Sequence, residues 1–228
     1  MSVIMGIKTN DIVILGADKR LSTLDGKKVS DDGDKILVIN SHLAIACAGN
    51  AAIQKALEGD VNKLGISKES LYVEDVTEMI CNLFKKLEGT KTKLLQIIIS
   101  SASQLIVGGL NKNNEMKLLS FSYLDRNLHW SEVKGDMIIF PPPNVTMKDC
   151  AEIFVRNLNI YPEYFIEKTV FDVSKISAVV SKNGNKWIYD NRSKMSEKRN
   201  FDKDLFLGYT IKKRMEFYRK LLRQRFCK

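Results

Sequence analysis

Residues 3–7 and 12–17 are two short apolar runs that flank the polar tetrapeptide Lys8-Thr9-Asn10-Asp11. That spacing predicts a tight β-hairpin, although the turn lacks the Asn-Gly pair that marks the commonest two-residue loop. Residues 34–39 and 43–48 repeat the arrangement around Asn40-Ser41-His42. Between the two pairs, residues 21–33 (LSTLDGKKVSDDG) are polar and turn-rich, which fits a loop or a short hairpin. A chain that opens on two antiparallel strand pairs needs layers to cover them, and helical patterns follow. Gly49-Asn50 leads into a helix through Ala51, Ile53, Ala56 and Leu57. A second helix is predicted over residues 73–87, where Val73, Val76, Met79, Ile80, Leu83, Phe84 and Leu87 keep a period near 3.6.

Strands are expected at 94–100, 104–110 and 115–122, the last two joined by a turn at 111–114, with further strand segments at 128–132 and 137–140. Pro141-Pro142-Pro143 interrupts ladder bonding and favours an extended segment. Residues 147–158 read as a helix. Residues 175–181 and 186–189 read as a closing hairpin around Asn183-Gly184, and 190–203 as a polar link. Residues 204–227 alternate apolar and basic side chains as a basic amphipathic helix does, expected to pack on its own domain or on a neighbouring subunit. The domain reading is therefore 1–190 as one folded unit and 191–228 as link and basic helix.

With 228 residues, 44% hydrophobic and 28% charged, the chain can bury a large core as a globular protein. No apolar run approaches the ~20 residues that span a bilayer, and no signal peptide is visible. Cys47, Cys81, Cys150 and Cys227 form no CxxC pair and no His clusters with them, so neither a metal nor a cofactor is expected, and a reducing, cytoplasmic compartment is the simplest inference. Net charge is +9, with much of the excess in residues 192–228. Such a tail suits an anionic partner such as nucleic acid, a membrane surface or an acidic protein patch, or is simply a solvated helix face. No nucleic-acid-binding motif accompanies it, and neither nucleic acid nor membrane is an expected partner.

The chemistry lies at the start. Ser2 follows Met1 and is small, so removal of Met1 is sterically allowed. The product carries a hydroxyl and a free α-amine on one residue, and an α-amine with a pKa near 8 can take the hydroxyl proton and return it. Asp18, Arg20 and Lys35 supply charges of the kind such a nucleophile needs.

In these landmarks the chain resembles proteasome β-type subunits and bacterial proteasome-like peptidases, which are N-terminal-nucleophile hydrolases. The resemblance is carried by Ser2 in the place of the family's Thr, Gly6-Ile7, Ala17-Asp18-Lys19-Arg20, Asp34-Lys35 opening an apolar strand, Ala48-Gly49, and Gly108-Gly109 before a polar turn. It is close over residues 2–50, weaker to about 122, and poor beyond. It implies an α+β fold, a four-layer αββα sandwich with two packed antiparallel sheets. It implies a threonine-peptidase-like hydrolase with Ser2 as nucleophile, Lys35 lowering its pKa, Asp18 holding Lys35, Arg20 bracing that cluster, and the Gly49 N–H in the oxyanion hole. It further implies self-association into rings, peptide or unfolded protein as substrate, and an ATPase regulator.

Two departures stand out. The Gly-Ser-Gly turn of catalytic members is replaced by the prolines. The Asp and second Ser that a later helix brings near the nucleophile have no clear match, with Glu163, Glu167 and Asp172 as candidate substitutes for the Asp. A non-catalytic structural or regulatory subunit, an amidase or acylase, and a nucleic-acid-binding protein acting through its tail are the alternatives.

Overall fold

Antiparallel pairing dominates the computed structural model, which describes residues 2–23, 27–89 and 102–202. The chain runs through β1 (Ile4–Lys8), β2 (Ile12–Asp18), the small hairpin β3 (Leu21–Ser22) and β4 (Lys28–Ser30), β5 (Ile36–Asn40) and β6 (Leu43–Ala48). It continues through α1 (Ala51–Lys63), a 3-10 segment (Gly65–Ser70) and α2 (Val73–Glu88). Then come β7 (Ser103–Leu110), β8 (Met116–Leu124), β9 (Asn127–Glu132), β10 (Met137–Phe140), α3 (Met147–Ile160), α4 (Phe165–Ile176), β11 (Gly184–Asp190) and β12 (Met195–Phe201). The described strands form two five-stranded sheets, ordered β10-β1-β2-β11-β12 and β5-β6-β7-β8-β9. All their pairings are antiparallel.

The alternation of side chains along β6 explains how the layers meet. Leu43, Ile45 and Cys47 join a cluster with Ile53 and Leu57 of α1 and Val76, Ile80 and Phe84 of α2. Ala44, Ala46 and Ala48 point the other way, into a cluster with Ile4 of β1, Val13 and Leu15 of β2, and Trp187 of β11. A third cluster joins Met5 of β1 and Ile139 of β10 to Cys150 and Phe154 of α3 and to Phe165, Ile166, Val170 and Val173 of α4. Both faces of β6 are thus buried, as its unbroken apolar run requires. The alanines keep the face shared with the other sheet shallow. Gly6 shows how close that approach is. A Cβ there would meet Leu118 Cδ1 at 2.9 Å and Ile106 Cγ2 at 3.1 Å, both from the other sheet. The Gly6-Ile7 landmark is therefore a packing requirement.

The described structure changes the reading of the C-terminal third. Residues 175–181 are not a strand. They close α4 and enter a turn, and α4 itself was not foreseen as a helix. The apolar pair Val179-Val180 misled, whereas Phe165, Ile166, Val170 and Val173 hold the helical period that decides the outcome. The hairpin is instead β11–β12, turning through residues 191–194, and Gly184 begins β11, with its Cα opposite Phe201. β11 also pairs with β2 along its whole length. The polar stretch 190–203 therefore contains an edge strand, whose exposed polar residues look like a loop in sequence. The expected division at residue 190 falls inside this hairpin. The strand expected at 94–100 and the basic helix expected at 204–227 lie outside the described residues. Among the described residues no helix is long and apolar enough to cross a membrane.

Substituting Gly6→Val is expected to force the two sheets apart locally and to cost about 1–3 kcal/mol, read as a lower urea midpoint at unchanged m-value.

Candidate active site

Hairpin geometry brings the first candidate residues together. The β1–β2 register sets Ile4 opposite Ala17, which places Val3 beside Asp18. The Asp18 N–H donates to the Val3 carbonyl (3.3 Å), and the Val3 N–H returns to Asp18 Oδ1 (3.1 Å). Ser2, the next residue, is buried, at 5% exposure.

Asp18 is fully buried, and among the described residues four donors reach its carboxylate. Lys35 Nζ (3.0 Å) and the Val3 N–H converge on Oδ1. The N–H groups of Arg20 (2.9 Å) and Ser181 (3.2 Å) converge on Oδ2. A buried carboxylate needs this degree of satisfaction to remain in place. Lys35 precedes β5, and its carbonyl accepts the Cys47 N–H at 2.8 Å, which fixes its backbone against β6. Burial pulls the Lys35 ammonium below its ordinary value of 10.5, and the Asp18 charge opposes that pull. The Cys47 thiol, deeply buried, is pushed up to about 12 and is inert.

Gly49 follows β6 with φ +101°, a conformation that side chains rarely adopt. A Cβ there would lie 2.3 Å from the Ala102 carbonyl oxygen. Helix α1 starts directly after it, capped by the Asn50 side chain accepting from the Ala52 N–H at 2.9 Å. Ser2 and Gly49 line one cavity of about 300 Å³, together with Ala48, Gln104, Val145 and the prolines 141–143. The prolines thus form a wall of the cavity that Ser2 also lines. The helix start beside Gly49 places positive dipole where negative charge is best tolerated.

Arg20 meets Asp18 with its main chain and turns its side chain elsewhere. Its guanidinium faces Asp31, with Nε to Oδ1 at 2.7 Å and a second bond to Oδ2 at 3.2 Å, and it also donates to the Ala178 carbonyl. Only its backbone N–H touches Asp18. This forked bond holds the Asp31 carboxyl down at about 2, with Lys28 helping. Arg20 therefore ties the β3–β4 hairpin to the turn after α4; its hydrogen bond to Asp18 comes from the main chain, and its charge acts on the Asp18–Lys35 pair through space.

Ser181 was missed as a site residue because its segment read as a strand. Besides its N–H on Asp18, its Oγ accepts the Lys19 N–H at 3.1 Å and donates to the Asn183 carbonyl at 2.5 Å. The usable signal was a Ser in the turn between an amphipathic helix and the Asn183-Gly184 pair. The acidic substitutes considered from sequence go elsewhere. Glu167 pairs with Lys186 at 2.5 Å, and Asp172 with Arg156, Lys168 and Lys175. Glu163 lies outside both helices α3 and α4. Among the described residues no group of three or more His, Cys, Asp and Glu is placed to hold a metal ion.

Comparison with known proteins bears on the same stretch. The family model described as proteasome subunit matches residues 2–59, the segment from Ser2 through β6 and most of α1. Over that stretch the chain is similar to proteasome subunits. No curated protein matches the chain.

Two outcomes follow from this electrostatic arrangement. Asp18→Ala leaves Lys35 charged and buried and strips three main-chain donors of their partner, so it is expected to destabilise by about 3–5 kcal/mol in urea unfolding. Asp31 is depressed in the folded state, so its stabilisation is present above its ordinary 3.8 and is lost as pH falls toward about 2. Acid unfolding of Asp31→Asn is expected to lack that component of the pH dependence.

Proposed function

We propose that the chain is a β-type proteasome-like subunit that hydrolyses peptide bonds with Ser2 as an N-terminal nucleophile, on the premise of the family match over residues 2–59. The observation that carries this reading is the juxtaposition at one cavity of Ser2 and Gly49, with the buried Asp18–Lys35 pair reached through Val3.

After removal of Met1, Ser2 Oγ attacks the substrate carbonyl carbon. The Ser2 α-amine takes the hydroxyl proton, directly or through water. The Lys35 ammonium, aimed by Asp18, favours the developing alkoxide and keeps the nearby amine neutral by like-charge repulsion. The carbonyl oxygen becomes an oxyanion that accepts from the Gly49 N–H, an interaction worth about 3–4 kcal/mol of barrier where such donors have been removed. Collapse expels the amine of the leaving peptide, which receives the proton held by the Ser2 amine. Water then attacks the Ser2 ester by the same route, releasing the acid and restoring the hydroxyl.

The three buried clusters support a four-layer order of helices, sheet, sheet and helices, the arrangement this reading requires. Ring assembly around a chamber, unfolded peptide as substrate and an ATPase regulator are the corresponding expectations. The free cysteines Cys47, Cys81 and Cys150 suit a reducing cytoplasm. The folded unit proposed for residues 1–190 takes in β12 as its edge strand, with the basic segment beyond it as an appendage.

A second reading has its own observation. Pro141, Pro142 and Pro143 wall the cavity in the stretch where the resemblance would put the family's Gly-Ser-Gly turn, and residues 177–180 (Ser-Ala-Val-Val) supply no Asp. Both favour a subunit that assembles without cutting. Release of a fluorophore from peptide amides separates the two. The hydrolase reading expects turnover in the wild type that falls by at least about 10²-fold in Ser2→Ala and in Lys35→Met. Wild-type rates equal to those of Ser2→Ala would instead support the assembly role.

A further inference from the structure

Lys35 is flanked on both sides by contacts from the other sheet. Asp34 Oδ1 accepts from Asn185 Nδ2 of β11 at 2.6 Å and from the Ile36 N–H at 3.1 Å. Its Oδ2 accepts from Lys198 Nζ of β12. The same Lys198 ammonium donates to the Ile36 carbonyl at 2.6 Å. Helix α1 adds Gln54 Nε2, which donates to the Asp34 carbonyl at 2.7 Å. The residues immediately before and after Lys35 are therefore both held by one lysine, while the Lys35 carbonyl is held by Cys47.

The topology makes this contact informative. β5 and β12 are edge strands of different sheets, so Lys198 staples two edges across the seam. Its cross-strand partner is Trp187, which lies in the cluster shared by both sheets, and so Lys198 projects toward that seam. Asn185 is fully buried and faces the same way. A staple needed only to close the seam could sit anywhere along β5. This one brackets the residue whose ammonium meets Asp18.

We propose that Lys198 and Asn185, acting through Asp34 and the Ile36 carbonyl, are positioning residues that set where the Lys35 ammonium lies relative to Asp18 and Ser2. The proposal rests on the reading of Ser2 as nucleophile only for its consequence in catalysis. A displaced ammonium would reduce the rate without touching substrate, since misplacement by about 1 Å can cost on the order of 100-fold.

The test is competitive acetylation of the full-length protein with acetic anhydride, read lysine by lysine by peptide mass spectrometry, alongside peptide hydrolysis. In Lys198→Met, acetylation of Lys35 is expected to rise about tenfold through local release. Lys186, comparably buried and paired with Glu167, reports on the fold as a whole and is expected to stay unchanged. Lys198→Arg is expected to return Lys35 toward its wild-type protection. Equal rises at Lys35 and Lys186, or no rise at Lys35, would overturn the proposal. With an active wild type, Lys198→Met is expected to lose roughly 10- to 100-fold in kcat with KM little changed, and an unchanged kcat would also overturn it. If the wild type does not hydrolyse peptides while Lys35 labelling responds as expected, the nucleophile reading fails and the positioning of Lys35 stands.

Discussion

Four donors on one buried carboxylate hold the N-terminal end of this protein together. Asp18 ties β1 to β2 through Val3, the start of β5 through Lys35, the β3–β4 region through the Arg20 N–H, and the turn after α4 through Ser181. The last of these comes from 163 residues away in the chain. An unpaired charge at this depth would be prohibitively costly, so the four segments are coupled: loss of one strands the others. The same coupling places Ser2 in the lining of a cavity shared with Gly49.

Close sheet packing supplies the second constraint. Gly6 and the alanines of β6 leave room for neighbours from the facing sheet, and larger residues on the outer faces meet the helices. Because β6 is buried on both faces, its C-terminal end is held firmly, and the positive φ of Gly49 follows where the chain must turn into α1 against the Ala102 carbonyl. The shape of the cavity is therefore a consequence of how the sheets meet. The proline wall contributes rigidity, since proline fixes its own φ and donates no main-chain hydrogen bond.

Legibility in the sequence followed locality. The strands β1, β2, β5, β6, β7 and β8 and the helices α1, α2 and α3 announce themselves by period and by short polar breaks, and the structure places them within a few residues of the expected bounds. Asp18, Lys35 and Gly49 stood out as candidates because each lies at or beside the end of such an element. What was not legible depends on partners distant in sequence. β12 is polar on every residue but Met195 and Phe201, and becomes a strand only because β11 pairs with it. Ser181 matters because α4 ends where it does. Arg20 keeps its charge near the site yet turns its guanidinium to Asp31, a choice between two nearby carboxylates that spacing alone does not make.

The central claim is that Ser2 becomes a free N-terminal nucleophile, and intact mass spectrometry tests it most directly, before and after exposure to a peptide epoxyketone. The account predicts a chain that has lost one methionine and gains one stoichiometric adduct, located at Ser2 and absent from Ser2→Ala. A chain that keeps Met1, or a processed chain that takes no adduct, would contradict it.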